Sequence, residues 1–362
     1  MKKALTFLML ATTLQVTAQL KPGFDKNEYL ELLKICGQTV DAPASTNMIK
    51  TIGAPQYHKC LYKSAPTELD NKWDLWISND NIACISIRGT TMKPESWLEN
   101  FFAAMVPAKG RIYFAEGDTF RYKLAEDKKA AVHAGWVIGM ASIARTIMPK
   151  LDSCYKAGIR QYRIFGHSQG GAISYLLRSY LYYQQQKGRL PKDMVFKTYC
   201  SAAPKPGNLY YAYDYENITR NGWGYTVVNA ADWVPEVPLS LQTVDDYNNV
   251  NPFRGAAEMM AKQPFPKNIV LKLLYNKLRK PSYKLLARYK RFLGEEAFKM
   301  VKKQYKDMER PEFYNSNNYM RAGSPIVLLP KADYYKLYSD TSSNVFVHHF
   351  LEPYDYLMKR YD

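Results

Sequence analysis

The stretch that decides the fold reads YRIFGHSQGG at residues 162–171, where an apolar run enters a glycine-rich turn around Ser168. Residues 162–165 are typical of a short strand, and residues 171–183 have the apolar content of a helix. A Gly-x-Ser-x-Gly turn between a strand and a helix is so tight that only small residues fit beside the serine. Because the strand and the helix are both present, Ser168 is a candidate nucleophile.

Strand-like and helical segments alternate on both sides of this turn. Further strand-like runs lie at residues 73–77, 82–87, 195–200 and 225–229, and a helical run precedes the turn at residues 137–155. This alternation predicts an α/β fold in which a mostly parallel central sheet is covered by helices on both faces. Near the amino end, a short amphipathic helix with Tyr29, Leu32, Leu33 and Cys36 on its apolar face is followed by a polar loop.

A basic segment interrupts the alternation. Residues 240–310 hold sixteen Lys or Arg against seven Asp or Glu, and the pattern from residue 256 to residue 310 is mostly helical. We interpret residues 240–330 as a helical insertion or cap within one domain of residues 19–362, not as a second catalytic domain.

A serine needs a base that takes its proton, and histidine is the usual one. The sequence holds five histidines, which are His58, His133, His167, His348 and His349. When a strand–turn–helix serine acts with an acid and a base, the order along the chain is serine, acid, histidine. Only His348 and His349 follow Ser168, and they come after an apolar, strand-like run at residues 344–347. The residues alone leave the choice between these two open.

The acid is expected just after a strand, between Ser168 and those histidines. Asp232 follows the run at residues 225–229 and is the best placed, with the role of holding the histidine tautomer and stabilising the imidazolium. Three further carboxylates are alternatives that lie less well relative to the strand: Glu236, Asp245 and Asp246.

A tetrahedral intermediate also needs hydrogen-bond donors for its oxyanion. The backbone amide that follows the nucleophile is one, and it belongs to Gln169. The second donor is expected from a loop after an earlier strand, and Arg88-Gly89-Thr90-Thr91 is suitably placed.

Four ordered blocks of sequence resemble the class 3 lipase family of α/β hydrolases. They lie at residues 85–91, 132–136, 166–171 and 200–208, and a fifth similarity is the Asn–Asp–Val–Pro pattern of residues 229–238. The resemblance implies the α/β-hydrolase fold and hydrolysis of carboxylic esters. The basic insertion has no counterpart in the family.

The resemblance also bears on individual residues. It implies that Thr90 is the first oxyanion residue. Many members of the family have a tyrosine five residues after the catalytic histidine, and the pair His349 and Tyr354 matches that spacing, which favours His349 over His348. The chain departs from the family at Gln169, where leucine is usual, and at Ser201, where glycine is usual.

Apolar residues between residues 97 and 106 recur at near-helical spacing after the Arg-Gly-Thr-Thr loop. In the family this region forms a lid or a cleft wall over the site. An ordinary core-packing helix explains the pattern equally well.

The first residues indicate export. Lys2 and Lys3 precede an apolar stretch, and Val16-Thr17-Ala18 provides small residues, so we expect a signal peptide of residues 1–18 that is cleaved after Ala18. The mature protein is then periplasmic or secreted. In such a compartment one disulfide is plausible, with Cys36 and Cys60 the first pair to test, whereas Cys84 and Cys200 are expected to be buried thiols.

The formal net charge of +17 favours anionic partners. An anionic membrane surface is one candidate, although a solvated basic face is the commoner explanation. No nucleic-acid-binding motif, metal-ligand spacing or cofactor motif is found, so we expect no nucleic-acid partner, no metal and no cofactor.

These observations predict a secreted serine hydrolase that cleaves acylglycerol or phospholipid esters through an acyl-enzyme on Ser168. Two alternatives remain open: an esterase that acts on small or carbohydrate-linked esters, and a non-catalytic binding protein on the same scaffold.

Overall fold

The computed structural model describes residues 19–40, 44–253 and 255–361, so the expected signal peptide lies outside the described residues. The strands are, in chain order, β1 (His58–Lys63), β2 (Trp73–Ser78), β3 (Ala83–Ile87), β4 (Met105–Pro107), β5 (Lys109–Ala115), β6 (Asp118–Lys123), β7 (Ala131–His133), β8 (Gln161–His167), β9 (Val195–Ser201), β10 (Gly207–Asn208), β11 (Gly224–Asn229), β12 (Tyr319–Met320) and β13 (Ser324–Leu328).

The α-helices are α1 (Lys26–Thr39), α2 (Ala44–Ile52), α3 (Pro94–Phe101), α4 (Ala134–Lys156), α5 (Gln169–Gln186), α6 (Leu209–Ile218), α7 (Ala256–Ala261), α8 (Lys267–Tyr289), α9 (Ala297–Gln304), α10 (Ala332–Leu337) and α11 (Leu351–Lys359). A π-helical segment, Lys290–Glu296, joins α8 to α9 without a break.

Seven strands form the central sheet in the order β1-β2-β3-β8-β9-β11-β13. The five strands from β3 to β13 run parallel, and β1 and β2 are antiparallel to their neighbours. The prediction of a mostly parallel sheet is therefore confirmed. A smaller four-stranded sheet, β12-β10-β7-β4, and the β5–β6 hairpin lie outside it.

Side chains that alternate along the central strands pack on two separate helical layers. Ile85 and Ile164 belong to the core cluster that includes α4 and α5, whereas Cys84 and Phe165 belong to the cluster of α1 and α11. Because neighbouring residues of a strand point to opposite faces, this division requires strands that are apolar on both sides. It explains why residues 82–87 read as a continuous apolar run.

The helical insertion ends earlier than the sequence suggested. Its helical part runs from α7 to α9 and ends at Gln304. Residues 324–328, which we had placed inside the insertion, are β13 and pair in parallel with β11 at the edge of the central sheet. A five-residue strand beside a long basic helical segment carries too little periodicity to be separated from it.

Three other local expectations are wrong. The polar loop after α1 contains α2, and Met105 begins a strand instead of continuing a helix from Trp97. Residues 344–349 form turns, in which Val347 N donates to Asn344 O at 3.0 Å and His349 N donates to Phe346 O at 2.8 Å. An apolar run of four residues becomes a strand only if a neighbouring strand accepts its ladder bonds.

The proposed Cys36–Cys60 disulfide is also wrong. All five cysteines are free; Cys36 is buried in α1, and Cys60 lies exposed on β1. Cys84 and Cys200 are buried thiols, as expected. In the described ranges, no helix combines the length and the apolar character that crossing a bilayer requires.

Candidate active site

Ser168 is the single residue between the end of β8 at His167 and the start of α5 at Gln169. Its φ of 61° and ψ of −130° lie in a region that residues with a Cβ atom rarely adopt. The backbone is held there by the sheet, since Ser168 N donates to Ser201 O at 2.9 Å. Strain of this kind persists where the surroundings fix the conformation, and it is concentrated at functional sites.

Two glycines allow the elbow to pack closely. A methyl group at Gly170 would overlap the carbonyl oxygen of Ile87, so α5 can begin against the end of β3 only with glycine there. A methyl group at Gly89 would lie 2.9 Å from His167 O and 3.5 Å from Ser168 Cβ. The Arg-Gly-Thr-Thr loop therefore lies directly against the candidate nucleophile, as the position of an oxyanion donor requires.

A buried carboxylate fixes this loop. Arg88 forms an ion pair of 2.9 Å with Asp70 Oδ2, and Thr91 Oγ1 donates to the same oxygen at 2.8 Å. Lys93 Nζ lies 2.8 Å from Asp70 Oδ1. Burial alone would raise the pKa of Asp70, but the hydrogen bonds from Lys93 and Thr91 and the charge of Arg88 lower it overall. Asp70 is thus an ionised anchor that the sequence did not reveal.

The two expected oxyanion residues lie together. Thr90 Oγ1 donates to Gln169 Oε1 at 2.8 Å, and Asn100 Nδ2 donates to Thr90 Oγ1 at 2.9 Å and to Gln169 Oε1 at 3.2 Å. The Gln169 side chain is buried. The polar residue that replaces the usual leucine therefore has a partner on the loop it faces.

Glu99 lies buried behind this pair. Asn71 Nδ2 donates to Glu99 Oε2 at 2.5 Å. Burial raises the pKa of Glu99 well above its ordinary value, although hydrogen bonds from the Asn71 and Gln169 side chains oppose that change. Sequence reasoning missed Glu99, Asn71 and Asn100. The only available signal was a carboxylate between Leu98 and Phe102, which are both buried.

The expected acid and the preferred base form a hydrogen-bonded pair. His349 Nδ1 lies 2.8 Å from Asp232 Oδ2, the same oxygen accepts from Tyr354 Oη at 2.7 Å, and Val234 N donates to Asp232 Oδ1 at 3.0 Å. Asp232 is buried. A carboxylate partner at Nδ1 places the ring proton there and leaves the lone pair of Nε2 free to accept a proton.

His349 lies next to the elbow. His167 Nε2 donates to the carbonyl oxygen of His349 at 2.6 Å, and the two rings are 5.0 Å apart between centroids. The other ring nitrogen of His167 pairs with Ser201 Oγ at 3.0 Å, so His167 points away from the nucleophile position. Burial and the positive charge of His349 lower the pKa of His167 well below its ordinary value.

The alternative residues have other partners. His348 Nδ1 lies 2.8 Å from Tyr334 Oη. Glu236 and Asp245 are exposed. Asp246 is buried, but Thr243 and Ser316 occupy its oxygens. The structure therefore places His349, and not His348, beside Asp232. The three alternative carboxylates are exposed or are already bonded to hydroxyl groups.

His133 lies in the block of residues 132–136 that resembles the family, and its contacts are structural. Its Nδ1 accepts from Trp136 N at 3.3 Å at the start of α4, its Nε2 lies 3.2 Å from Asn100 O, and its ring stacks on Trp136 at 3.6 Å. Burial lowers the pKa of His133 to about 3. Across residues 19–40, 44–253 and 255–361, no group of three or more His, Cys, Asp or Glu side chains could hold a metal ion.

The parallel sheet, the serine elbow at its carboxyl edge and the Asp232–His349 pair define the class of α/β hydrolases. Residues 84–242 match the model of the family "Lipase (class 3)", which confirms the resemblance found in the sequence. The matched segment includes Ser168 and Asp232 and ends before His349.

Solved structures with some similarity include fungal lipases. The Rhizomucor miehei lipase propeptide complex is 17% identical over 60% of this chain and 65% of that chain, with a TM-score of 0.42. Lipase II from Rhizopus niveus is 17% identical (59% and 74%, TM-score 0.39), and the lipase from Rhizopus microsporus var. chinensis is 18% identical (65% and 77%, TM-score 0.40). The chain thus spans less than two thirds of the first of these. No curated protein matches the sequence significantly.

The contrast between the two neighbouring histidines gives a test. We expect His349→Ala to lower kcat by about 10⁴-fold, because removal of a triad member leaves only binding and oxyanion stabilisation. The matched variant His348→Ala should keep kcat within about fivefold, since its imidazole contacts Tyr334 instead of Asp232. Steady-state hydrolysis of a soluble p-nitrophenyl ester measures both. Loss of turnover in His348→Ala alone would show that the base is misassigned.

The lowered pKa values of His133 and His167 predict acid sensitivity. Between about pH 6.5 and pH 3 the unfolded chain binds a proton at His133 that the folded chain does not bind. The free energy of unfolding should therefore fall as the pH falls, by up to about 1.4 kcal/mol per pH unit for each such histidine. Urea unfolding at several pH values measures this slope.

His133→Gln should reduce the slope, because it removes one group that titrates only in the unfolded chain. The control is Trp136→Phe, which disturbs the same ring stack without removing a titrating group, and which should lower stability equally at each pH. An unchanged slope in His133→Gln would contradict the assignment.

Proposed function

We propose that this chain hydrolyses carboxylic esters of lipids through a covalent acyl-enzyme on Ser168. The observation that carries the proposal is the buried 2.8 Å contact between His349 and Asp232, next to a strained serine elbow. A serine, a histidine and an aspartate with these relations are the parts of acyl transfer. The family match supports ester hydrolysis, and the roles of the individual residues rest on the geometry.

In the first half of the reaction, the Ser168 hydroxyl oxygen bonds to the ester carbonyl carbon while His349 Nε2 accepts the hydroxyl proton. The carbonyl oxygen becomes an oxyanion that the Gln169 amide and Thr90 stabilise. Collapse of this intermediate breaks the bond from carbon to the alkoxy oxygen. His349 gives its proton to that oxygen, the alcohol leaves, and the acyl group stays on Ser168.

In the second half, water replaces the alcohol. His349 takes one water proton while the water oxygen bonds to the acyl carbon, and the oxyanion forms again at the same donors. Collapse breaks the bond between the acyl carbon and Ser168 Oγ and releases the carboxylic acid, while His349 returns its proton to Ser168 Oγ. Asp232 keeps the His349 ring oriented throughout, since hydrogen bonds from Tyr354 and the Val234 amide fix the two oxygens of its carboxyl group.

Aromatic side chains beside His349 support an apolar acyl group. The Phe346 ring lies 5.9 Å from His349, 6.1 Å from Trp97 and 5.4 Å from Trp233 between centroids. Trp97 lies on α3, next to Phe101, which is largely exposed. We call Trp97, Phe101, Trp233 and Phe346 the apolar rim. Such a rim favours an acyl chain over a sugar, whose hydroxyl groups would lose their hydrogen bonds to water there.

The proposal includes export from the cytoplasm, which rests on the signal-peptide pattern of residues 1–18 alone. The partner is then an extracytoplasmic lipid ester. The net charge is +17 for the full sequence and +15 without Lys2 and Lys3 of the signal peptide, and it favours lipids with anionic headgroups nearby.

A fluorophosphonate probe tests the chemistry, because it phosphonylates only an activated serine. We expect one adduct, located on Ser168 by peptide mass spectrometry, and none on Ser168→Ala. Asp232→Asn should slow labelling by about 10³-fold or more, because the histidine tautomer is no longer held. An adduct of equal yield on Ser168→Ala, or no adduct on the parent chain, would overturn the proposal.

A series of p-nitrophenyl esters of increasing acyl length tests the substrate class. We expect kcat/KM to rise from acetyl to octanoyl esters, and Phe346→Ala to reduce the octanoyl value by about tenfold while leaving the acetyl value nearly unchanged. The control Leu61→Ala removes a more exposed apolar side chain on β1, away from the apolar rim, and should change neither. A steady decrease beyond the acetyl ester would favour a short-chain esterase while leaving the serine chemistry intact.

A further inference from the structure

Helix α8 differs from every other long helix described here in that almost none of it is buried. Among its 23 residues only Leu286 is buried. The helix carries seven Lys or Arg residues and no Asp or Glu. Its surface therefore needs an explanation that core packing does not supply.

One face of α8 is attached to the protein. The Arg279 guanidinium lies over the Tyr283 ring at 4.5 Å, and Arg279 lines the same pocket as Asp245 of the preceding loop. Leu286 is buried on the same side, since residues three or four positions apart share a helix face. These contacts hold α8 in place and leave its opposite side free.

The free side presents an apolar stripe beside a basic row. Val270, Leu274, Leu278 and Leu285 recur at intervals of four, four and seven residues, which places them on one face. Leu278 is 82% exposed, and each of the others is at least 36% exposed. Lys277, Lys280, Lys284 and Arg288, at intervals of three, four and four residues, lie along the adjacent face.

We propose that this stripe and row form a docking site for the surface of an anionic phospholipid bilayer. Exposed apolar side chains lower their free energy by entering the acyl boundary, while neighbouring lysines contact anionic headgroups. The absence of any acidic residue in α8 favours an anionic partner. It also opposes a symmetric dimer through this face, because two basic rows of four positive charges each would repel each other.

The docking site is continuous with the rim of the candidate active site. The π-helical segment leads from α8 into α9, where the Phe298 ring lies 6.1 Å from Phe102, the residue that follows α3. Ala104 N donates to Leu293 O at 3.0 Å, within the same junction. Helix α3 carries Trp97 and Phe101 of the apolar rim. The proposal concerns binding, and it does not depend on hydrolysis.

Vesicle sedimentation of the full chain carrying Ser168→Ala tests docking without lipid turnover. We expect partition to phosphatidylcholine vesicles that contain phosphatidylglycerol to exceed partition to phosphatidylcholine alone by at least about tenfold. High salt should weaken it. The double variants Leu274→Ser with Leu278→Ser, and Lys280→Glu with Lys284→Glu, should each reduce binding by about tenfold or more.

The matched controls are Leu61→Ser and Lys187→Glu, which alter exposed residues elsewhere and should bind as the parent does. In an otherwise active chain, the α8 variants should keep the hydrolysis rate of a soluble short-chain ester, which shows that they fold.

Leu278→Trp tests insertion directly. The fluorescence of the introduced tryptophan should shift to the blue on anionic vesicles and should be quenched by brominated acyl chains.

Three results would overturn the proposal: no binding to anionic vesicles, binding that the leucine variants leave unchanged, or a dimer that Leu278→Ser dissociates in sedimentation velocity. An inactive parent enzyme that still binds vesicles through α8 would reject the proposed hydrolysis alone. An active enzyme that ignores vesicles would reject docking alone.

Discussion

The backbone of Ser168 adopts a conformation that is strained by about 1–3 kcal/mol in a residue with a Cβ atom. The rest of the site depends on how that strain is maintained. Gly170 allows α5 to start against the Ile87 carbonyl, Gly89 allows the neighbouring loop to touch the elbow, and the Ser201 carbonyl holds the Ser168 amide. A residue with a larger side chain at either glycine would separate β3, β8 and α5. The serine would then relax and withdraw its hydroxyl from the edge of the sheet.

Buried polar groups fix the parts that surround the elbow. Asp70 holds the Arg-Gly-Thr-Thr loop through an ion pair and hydrogen bonds, and Asp232 holds His349. His167, which lies beside His349, is kept neutral by burial and by the charge that His349 acquires. A neutral His167 is needed because two imidazolium ions with ring centroids 5.0 Å apart would repel each other when His349 takes a proton. In the proposed reaction, the His167 ring beside Ser168 thus stays uncharged while His349 cycles through its charged form.

Sequence periodicity predicted the central sheet because β3, β8 and β9 are apolar on both faces and are bounded by turns. The elbow could be located because it directly follows β8, one of these strands. The partners of the buried polar groups could not be found from the sequence. Asn71 bonds to Glu99 and Asp70 pairs with Arg88, and in each pair the two residues lie far apart along the chain. Short apolar runs do not distinguish a strand from a turn or a helix. Residues 344–347 have no neighbouring strand and form turns, whereas residues 324–328 have β11 beside them and form the strand that we had assigned to the insertion.

The replacement of leucine by Gln169 has a consequence for the proposed oxyanion hole. In the resting site the Thr90 hydroxyl donates a hydrogen bond to Gln169 Oε1, so this hydroxyl faces a neutral acceptor. An oxyanion is a stronger acceptor than an amide oxygen, by roughly a factor of two in hydrogen-bond energy. Rotation of the Thr90 hydroxyl towards the oxyanion therefore exchanges a weaker bond for a stronger one. Asn100 remains as a donor to Gln169 Oε1, so the amide oxygen is not left unpaired when Thr90 turns away. The interaction is thus stronger in the transition state than in the ground state, which is the condition for a contribution to rate.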